Sequence, residues 1–160
     1  MTIITRVYRF PASHRLHSPL LTDADNAATF GKCNNPYGHG HDYVLSVSAT
    51  GPTDTRTGLV LRIAELDQLV ETKVLNVLAH SNINEDVAYF KDTDAVPTTE
   101  NIAVFIAKQL QHHWSEFVRS GYARLYRVHV QETERNAFEL LIPSKVPEKN
   151  VDSEGLLIHA

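Results

Sequence analysis

From His39 to Thr50 every second residue of one set is apolar or aromatic: His41, Tyr43, Leu45 and Val47 share a face, and Gly51-Pro52 ends the run. A period of two held over that length specifies a strand with one buried face and excludes a helix. The same period recurs in residues 3–14, where Tyr8, Phe10, Ala12 and His14 fall together. In residues 123–133 it sets Tyr126, Val128 and Val130 against Arg127, His129 and Gln131. Glu134-Arg135-Asn136 is a turn, after which Ala137 to Ile142 pairs back as a hairpin arm.

The middle of the chain changes period. Ile63, Leu66, Val70, Val74 and Leu78 lie near helical spacing over 63–78. A second helix starts at Pro97-Thr98-Thr99-Glu100, where a threonine caps and an acid suits the positive helix end. Its stripe is Ile102, Phe105, Ile106 and Leu110, extending to Trp114. Residues 17–38 read as a polar loop, and the connection 79–97 is long enough to suggest function. The order ββααββ predicts an α+β domain, a four-stranded antiparallel sheet with two helices on one face. One catalytic domain is expected over 1–142, with a polar, loosely ordered tail over 143–160. Two open sheet edges and one uncovered face favour assembly with copies of the same chain.

Composition narrows the class of function. Fifteen basic against nineteen acidic residues leave a net charge of −4, which argues against a nucleic-acid or anionic-membrane binder. No apolar run reaches transmembrane length, and the alternating N-terminus does not read as a signal peptide. A single cysteine, Cys33, excludes a disulfide framework and any multi-cysteine zinc site. A cytoplasmic protein of a reducing compartment is the expectation.

Nine histidines are the unusual number. His39 and His41, at i and i+2 on a strand, put both imidazoles on one face, with Cβ atoms about 6–7 Å apart. His14, near the end of the neighbouring strand, supplies a third nitrogen. Three histidines with an open fourth position describe a catalytic zinc site. A lone His-x-His is more often a surface pair beside a turn, and His14 is what raises the metal reading. His17, His112, His113, His129 and His159 lack such partners and read as structural or solvated.

Cys33 lies in a polar stretch beside Lys32, where a nearby cation or metal favours thiolate and a role as base or nucleophile. His80 follows the first long helix; by spacing alone it reads first as a helix-end histidine answering the dipole. Glu132 closes the Tyr126–Val128–Val130 face, either reaching solvent or anchoring a ligand.

Several stretches resemble the 6-pyruvoyl-tetrahydropterin synthase family. They are Phe30-Gly31-Lys32-Cys33-Asn34-Asn35-Pro36-Tyr37-Gly38-His39-Gly40-His41-Asp42-Tyr43, Phe10-Pro11-Ala12-Ser13-His14-Arg15-Leu16, Asp86-Val87-Ala88-Tyr89-Phe90, Thr98-Thr99-Glu100-Asn101 and Gln131-Glu132-Thr133. The resemblance spans about residues 6–142 and implies the tunnelling fold, with trimeric barrels stacked into a homohexamer and sites between subunits. It implies conversion of 7,8-dihydroneopterin triphosphate into 6-pyruvoyl-tetrahydropterin with loss of triphosphate. His14, His39 and His41 would hold Zn2+, with Mg2+ a candidate companion of the triphosphate. Cys33 would be the general base, His80 its proton-relay partner, and Glu132 the pterin anchor with Thr98 and Thr99 nearby. The family pattern is Leu-Asp-His where this chain has Leu78-Ala79-His80. Two alternatives stand: the 6-carboxy-tetrahydropterin synthase branch acting on the same substrate, and, because of Ala79, a catalytically impaired pterin-binding variant.

Overall fold

The computed structural model describes residues 2–143. The expected tail over 143–160 and His159 lie, apart from Pro143, outside the described residues. Four strands, β1 (Thr2–His14), β2 (His39–Gly51), β3 (Arg124–Thr133) and β4 (Asn136–Leu141), form one antiparallel sheet in the order β1-β2-β3-β4. On β2 the alternation is realised in full: Tyr43, Leu45, Val47 and Ala49 are completely buried. Val128 and Val130 of β3 and Phe10 of β1 continue that face. Burying each such side chain contributes about 1.5–3 kcal/mol.

Two longer helical stretches cover this face. The first is α2 (Ile63–Val70), a π turn (Glu71–Leu75) and α3 (Asn76–Leu78), end to end over the expected 63–78. Leu66, Leu69, Val70, Val74 and Leu78 are buried, whereas Ile63, at the start of the expected stripe, stays 38% exposed. The second is α6 (Thr99–Phe117), whose Ile102, Phe105, Ile106 and Leu110 are buried. Trp114 at its end is half-buried, and its indole N–H donates to the Ala123 carbonyl at 3.0 Å.

Three local readings are corrected. Residues 17–38 are not all loop: α1 (Asp23–Phe30) and a 3₁₀ turn (Gly31–Asn34) lie within them. The connection 79–97 carries two short helices, α4 (Ile83–Asp86) and α5 (Ala88–Lys91), so helices beyond the expected pair exist. A bulge in β3 skips Tyr126, so that Leu125 opposes Ala49 while Val128 opposes Val47. Leu125, not Tyr126, therefore continues the buried face at that end.

Past α3 the chain turns back onto the outer edge of β1. The His80 N–H donates to the Pro11 carbonyl at 2.7 Å, and the Ser13 N–H to the Ser81 carbonyl at 2.9 Å. Pro11 loses nothing here, because its nitrogen faces that edge and not β2. The N-terminal part of β1, and β4 on the far side, remain sheet edges.

Candidate metal centre

The β1–β2 register builds the centre. His14 lies directly opposite His39, and Ala12 opposite His41, so three imidazoles rise from two adjacent strands at one end of the sheet. The turn into β2 needs Gly38, which has φ 69° and would place a Cβ 2.9 Å from the His14 carbonyl oxygen. Any side chain at 38 would push His39 away from His14.

One ring nitrogen from each of His14, His39 and His41 lies within 4.8 Å of the others. His14 Nε2 and His39 Nε2 are 3.1 Å apart. Two imidazole nitrogens about 3.3 Å apart are what a shared tetrahedral ion with 2.0–2.1 Å bonds requires, roughly speaking. The His14 side chain is fully buried, and its Nδ1–H donates to the Pro97 carbonyl at 2.8 Å. That bond fixes the tautomer and leaves the Nε2 lone pair aimed at the cluster. His41 Nε2 is buried without any hydrogen-bond partner. Burial holds His14 and His39 below the ordinary histidine range, and the neighbouring imidazoles add to the effect. Convergent imidazole nitrogens, one of them buried without a partner, are a donor set suited to a divalent metal.

A carboxylate joins the ring. Glu132 Oε1 is 3.4 Å from His14 Nε2 and 3.8 Å from His41 Nε2. Its other oxygen accepts from the Asn136 amide at 2.9 Å, and the same amide reaches Thr99 Oγ1 at 3.4 Å. Glu132 can do this because alternation along β3 from Val128 and Val130 carries it onto the face that Tyr43 and His41 occupy on β2. Thr99 is buried, while Thr98 caps α6 with its oxygen on the Asn101 N–H. Sequence reasoning missed Asn136 and the Pro97 carbonyl. Tyr43, whose phenol lies 3.3 Å from His14 Nδ1, was assigned only to the core. Its hydroxyl is kept neutral, pushed up by burial and by the nearby Glu132.

The remaining two candidates stand apart from each other. Cys33 is half-exposed on its 3₁₀ turn, with its carbonyl taking the Leu16 N–H at 2.9 Å. Asn34 beside it is gripped by the Arg15 guanidinium, and its side-chain oxygen lies 3.0 Å from His17 Nδ1. His80 is exposed and lines a cavity of about 400 Å³ with Pro11, Ser13, His41 and Asp42. Cys33 does not line that cavity. Within one chain the histidine trio and Glu132 are assembled; Cys33 and His80 are not brought together.

The model of the family described as 6-pyruvoyl tetrahydropterin synthase matches residues 3–141. The chain belongs to that family. As a member of the synthase family it has near relatives among animals. It is 45% identical over 138 residues to the 6-pyruvoyl tetrahydrobiopterin synthase of Drosophila melanogaster, covering 85% of this chain and 77% of the relative. Identity to the Homo sapiens synthase of that name is 44% over 133 residues, 83% of this chain and 86% of the relative. The 6-pyruvoyl tetrahydropterin synthase structure from Caenorhabditis elegans superposes with a TM-score of 0.78 at 39% identity, covering 89% of this chain and 98% of that one. Among the described residues no helix of this family member is long and apolar enough to cross a membrane.

Proposed function

We propose that this chain converts 7,8-dihydroneopterin triphosphate into 6-pyruvoyl-tetrahydropterin with release of triphosphate. The observation that carries the reading is the convergence of three imidazoles beside Glu132, in a chain matching the synthase family over residues 3–141. His14, His39 and His41 would hold zinc, whose donor preferences suit three imidazole nitrogens and an open position. Bound there, zinc supplies Lewis acidity toward the side-chain hydroxyls of the substrate.

The chain's own groups account for the rest. Glu132, steadied by Asn136, accepts the N–H donors of the pterin ring, with Thr99 hydroxyl adjacent. The Cys33 thiolate takes the proton from the carbon next to the ring, and His80 relays a proton to or from the same side chain. Redox stays internal: the side chain is oxidised as the ring is reduced, so no nicotinamide or flavin is needed. Because Cys33 and His80 lie apart within one chain, we place the working site between subunits. The open edges of β1 and β4 support closure into a barrel of copies, extended to a hexamer.

Zinc-loaded protein incubated with 7,8-dihydroneopterin triphosphate tests the reading by mass analysis of the pterin. The pyruvoyl product is expected, together with triphosphate. A carboxy product would move the chain to the queuosine-pathway branch, and unchanged substrate would leave only pterin binding.

A further inference from the structure

Among the described residues, His80 is the one non-glycine residue with positive φ, at 61°. That conformation costs of order 1–3 kcal/mol and persists only where the surroundings enforce it. Here two backbone bonds to β1 enforce it, from His80 N–H to Pro11 and from Ser13 N–H to Ser81. His80 lines a cavity that the metal-centre residue His41 also lines. An imidazole set there to move a proton needs a fixed tautomer, and a carboxylate on its second nitrogen is the usual means.

His80's sequence neighbours supply none. Ala79 has no polar side chain, and the Ser81 hydroxyl donates to the Leu78 carbonyl at 2.8 Å. Asp86 accepts the Asn82 N–H, and Glu85 lines a different cavity. The cavity His80 lines holds one carboxylate, Asp42, which has no hydrogen bond or ion pair to any described residue. The register accounts for the proximity. Asp42 lies directly opposite Pro11 on β2, and His80 is bonded to Pro11 from the other side. Their backbones are thus two strand spacings apart, about 9–10 Å. An imidazole and a carboxylate extended toward each other span that gap, passing over Pro11, which has no N–H to compete.

We propose that Asp42 is the carboxylate that orients His80, a positioning residue supplied by β2 in place of one from the segment that carries His80. The proposal rests on the function proposed above for His80, and the following measurements separate the two. Asp42→Asn keeps the shape and removes the charge. Its kcat is expected to fall at least about tenfold, with KM and zinc content unchanged. Adding Ala79→Asp restores most of the lost kcat, because a carboxylate then reaches the imidazole from its neighbour. In the His80→Ala background, Asp42→Asn has no further effect. Nitrogen-15 spectra of the zinc-loaded parent show His80 as one tautomer, and those of Asp42→Asn as a mixture. This last readout needs no turnover and stays decisive if Ala79→Asp fails to fold. A parent without turnover would sink the proposed function while leaving the tautomer comparison to judge Asp42. A kcat within twofold of the parent, an unchanged His80 spectrum, or zinc loss in Asp42→Asn would overturn the proposal, the last because Asp42 would then be acting through His41.

Discussion

Two polar clusters draw on β1, one at its middle and one at its C-terminal end, and they differ in how many of their valences are closed. Toward the N-terminus, Asp67 of α2 accepts from Arg6 Nε at 3.0 Å, from Arg6 Nη2 at 2.9 Å and from the Tyr8 hydroxyl at 2.7 Å. Its charge is balanced, and it ties helix to sheet. At the C-terminal end, His41 Nε2 has no partner, and two imidazole nitrogens face each other across 3.1 Å. A cluster that only holds the fold together saturates itself; one built for a ligand keeps acceptors unsatisfied at a cost in stability. Each cluster takes residues from β1, Arg6 and Tyr8 for the closed one and His14 for the open one.

The sharpest way to break the contrast is to remove the open cluster. His39→Ala with His41→Ala should lose bound zinc to background and lower turnover by more than about 10³-fold, since metal charge stabilisation is worth several kcal/mol. Elemental analysis and product assay check it. Full zinc retention would show that the convergence is only structural. Tyr8→Phe at the closed cluster should leave zinc and turnover alone and cost about 0.5–1.5 kcal/mol of stability.

Cys33→Ala comes next. A general base contributes typically about 10²–10⁴-fold, so the rate should fall by that order while pterin binding holds, because ring anchoring rests on Glu132. Stopped turnover and ligand-binding assays read the two separately. Equal rates in variant and parent would remove Cys33 from the reaction.

How much of this was legible follows from which forces made each part. The strands and both long helices were visible because apolar burial writes a period into the sequence, as in Tyr43-Leu45-Val47 and Ile102-Phe105-Ile106. Helix α1 was not, since its one buried residue is Asn26. That amide donates to the Ser18, Leu21 and Thr22 carbonyls and accepts the Ser18 N–H, and no hydrophobic pattern records such a core. The bulge at Tyr126 was equally silent. In the site, His39 and His41 were readable from i, i+2 spacing, and His14 from the strand beside them. The Pro97 carbonyl that sets the His14 tautomer is backbone, so its residue type carries no signal. Asn136 was hidden as an ordinary hairpin-turn residue.

The gentlest test uses acid, which should begin to dismantle the two clusters at different pH. His14 and His39 sit below the ordinary value of 6.5, chiefly because burial disfavours their charged forms. The unfolded chain therefore binds more protons than the folded one once pH drops under about 6.5, and stability falls with pH from there. Asp67 is held below its ordinary 3.8, first by its bond to Arg6 and then by Tyr8, against the opposing pull of desolvation. Its contribution is fully present above that value and is lost only as pH falls through the lower, folded one. Both slopes have the same sign, but the histidine window opens below about 6.5 and the Asp67 window only below 3.8. Metal-free protein melted across pH 7.5 to 3 should lose stability in an upper step that His39→Ala with His41→Ala flattens, and in a lower step that Asp67→Asn flattens. Zinc should deepen the upper step alone, because protons compete for the same nitrogens the ion needs. An upper step that survives the double variant unchanged, or that zinc leaves untouched, would mean the open cluster is not where neutral imidazoles are being held for a metal.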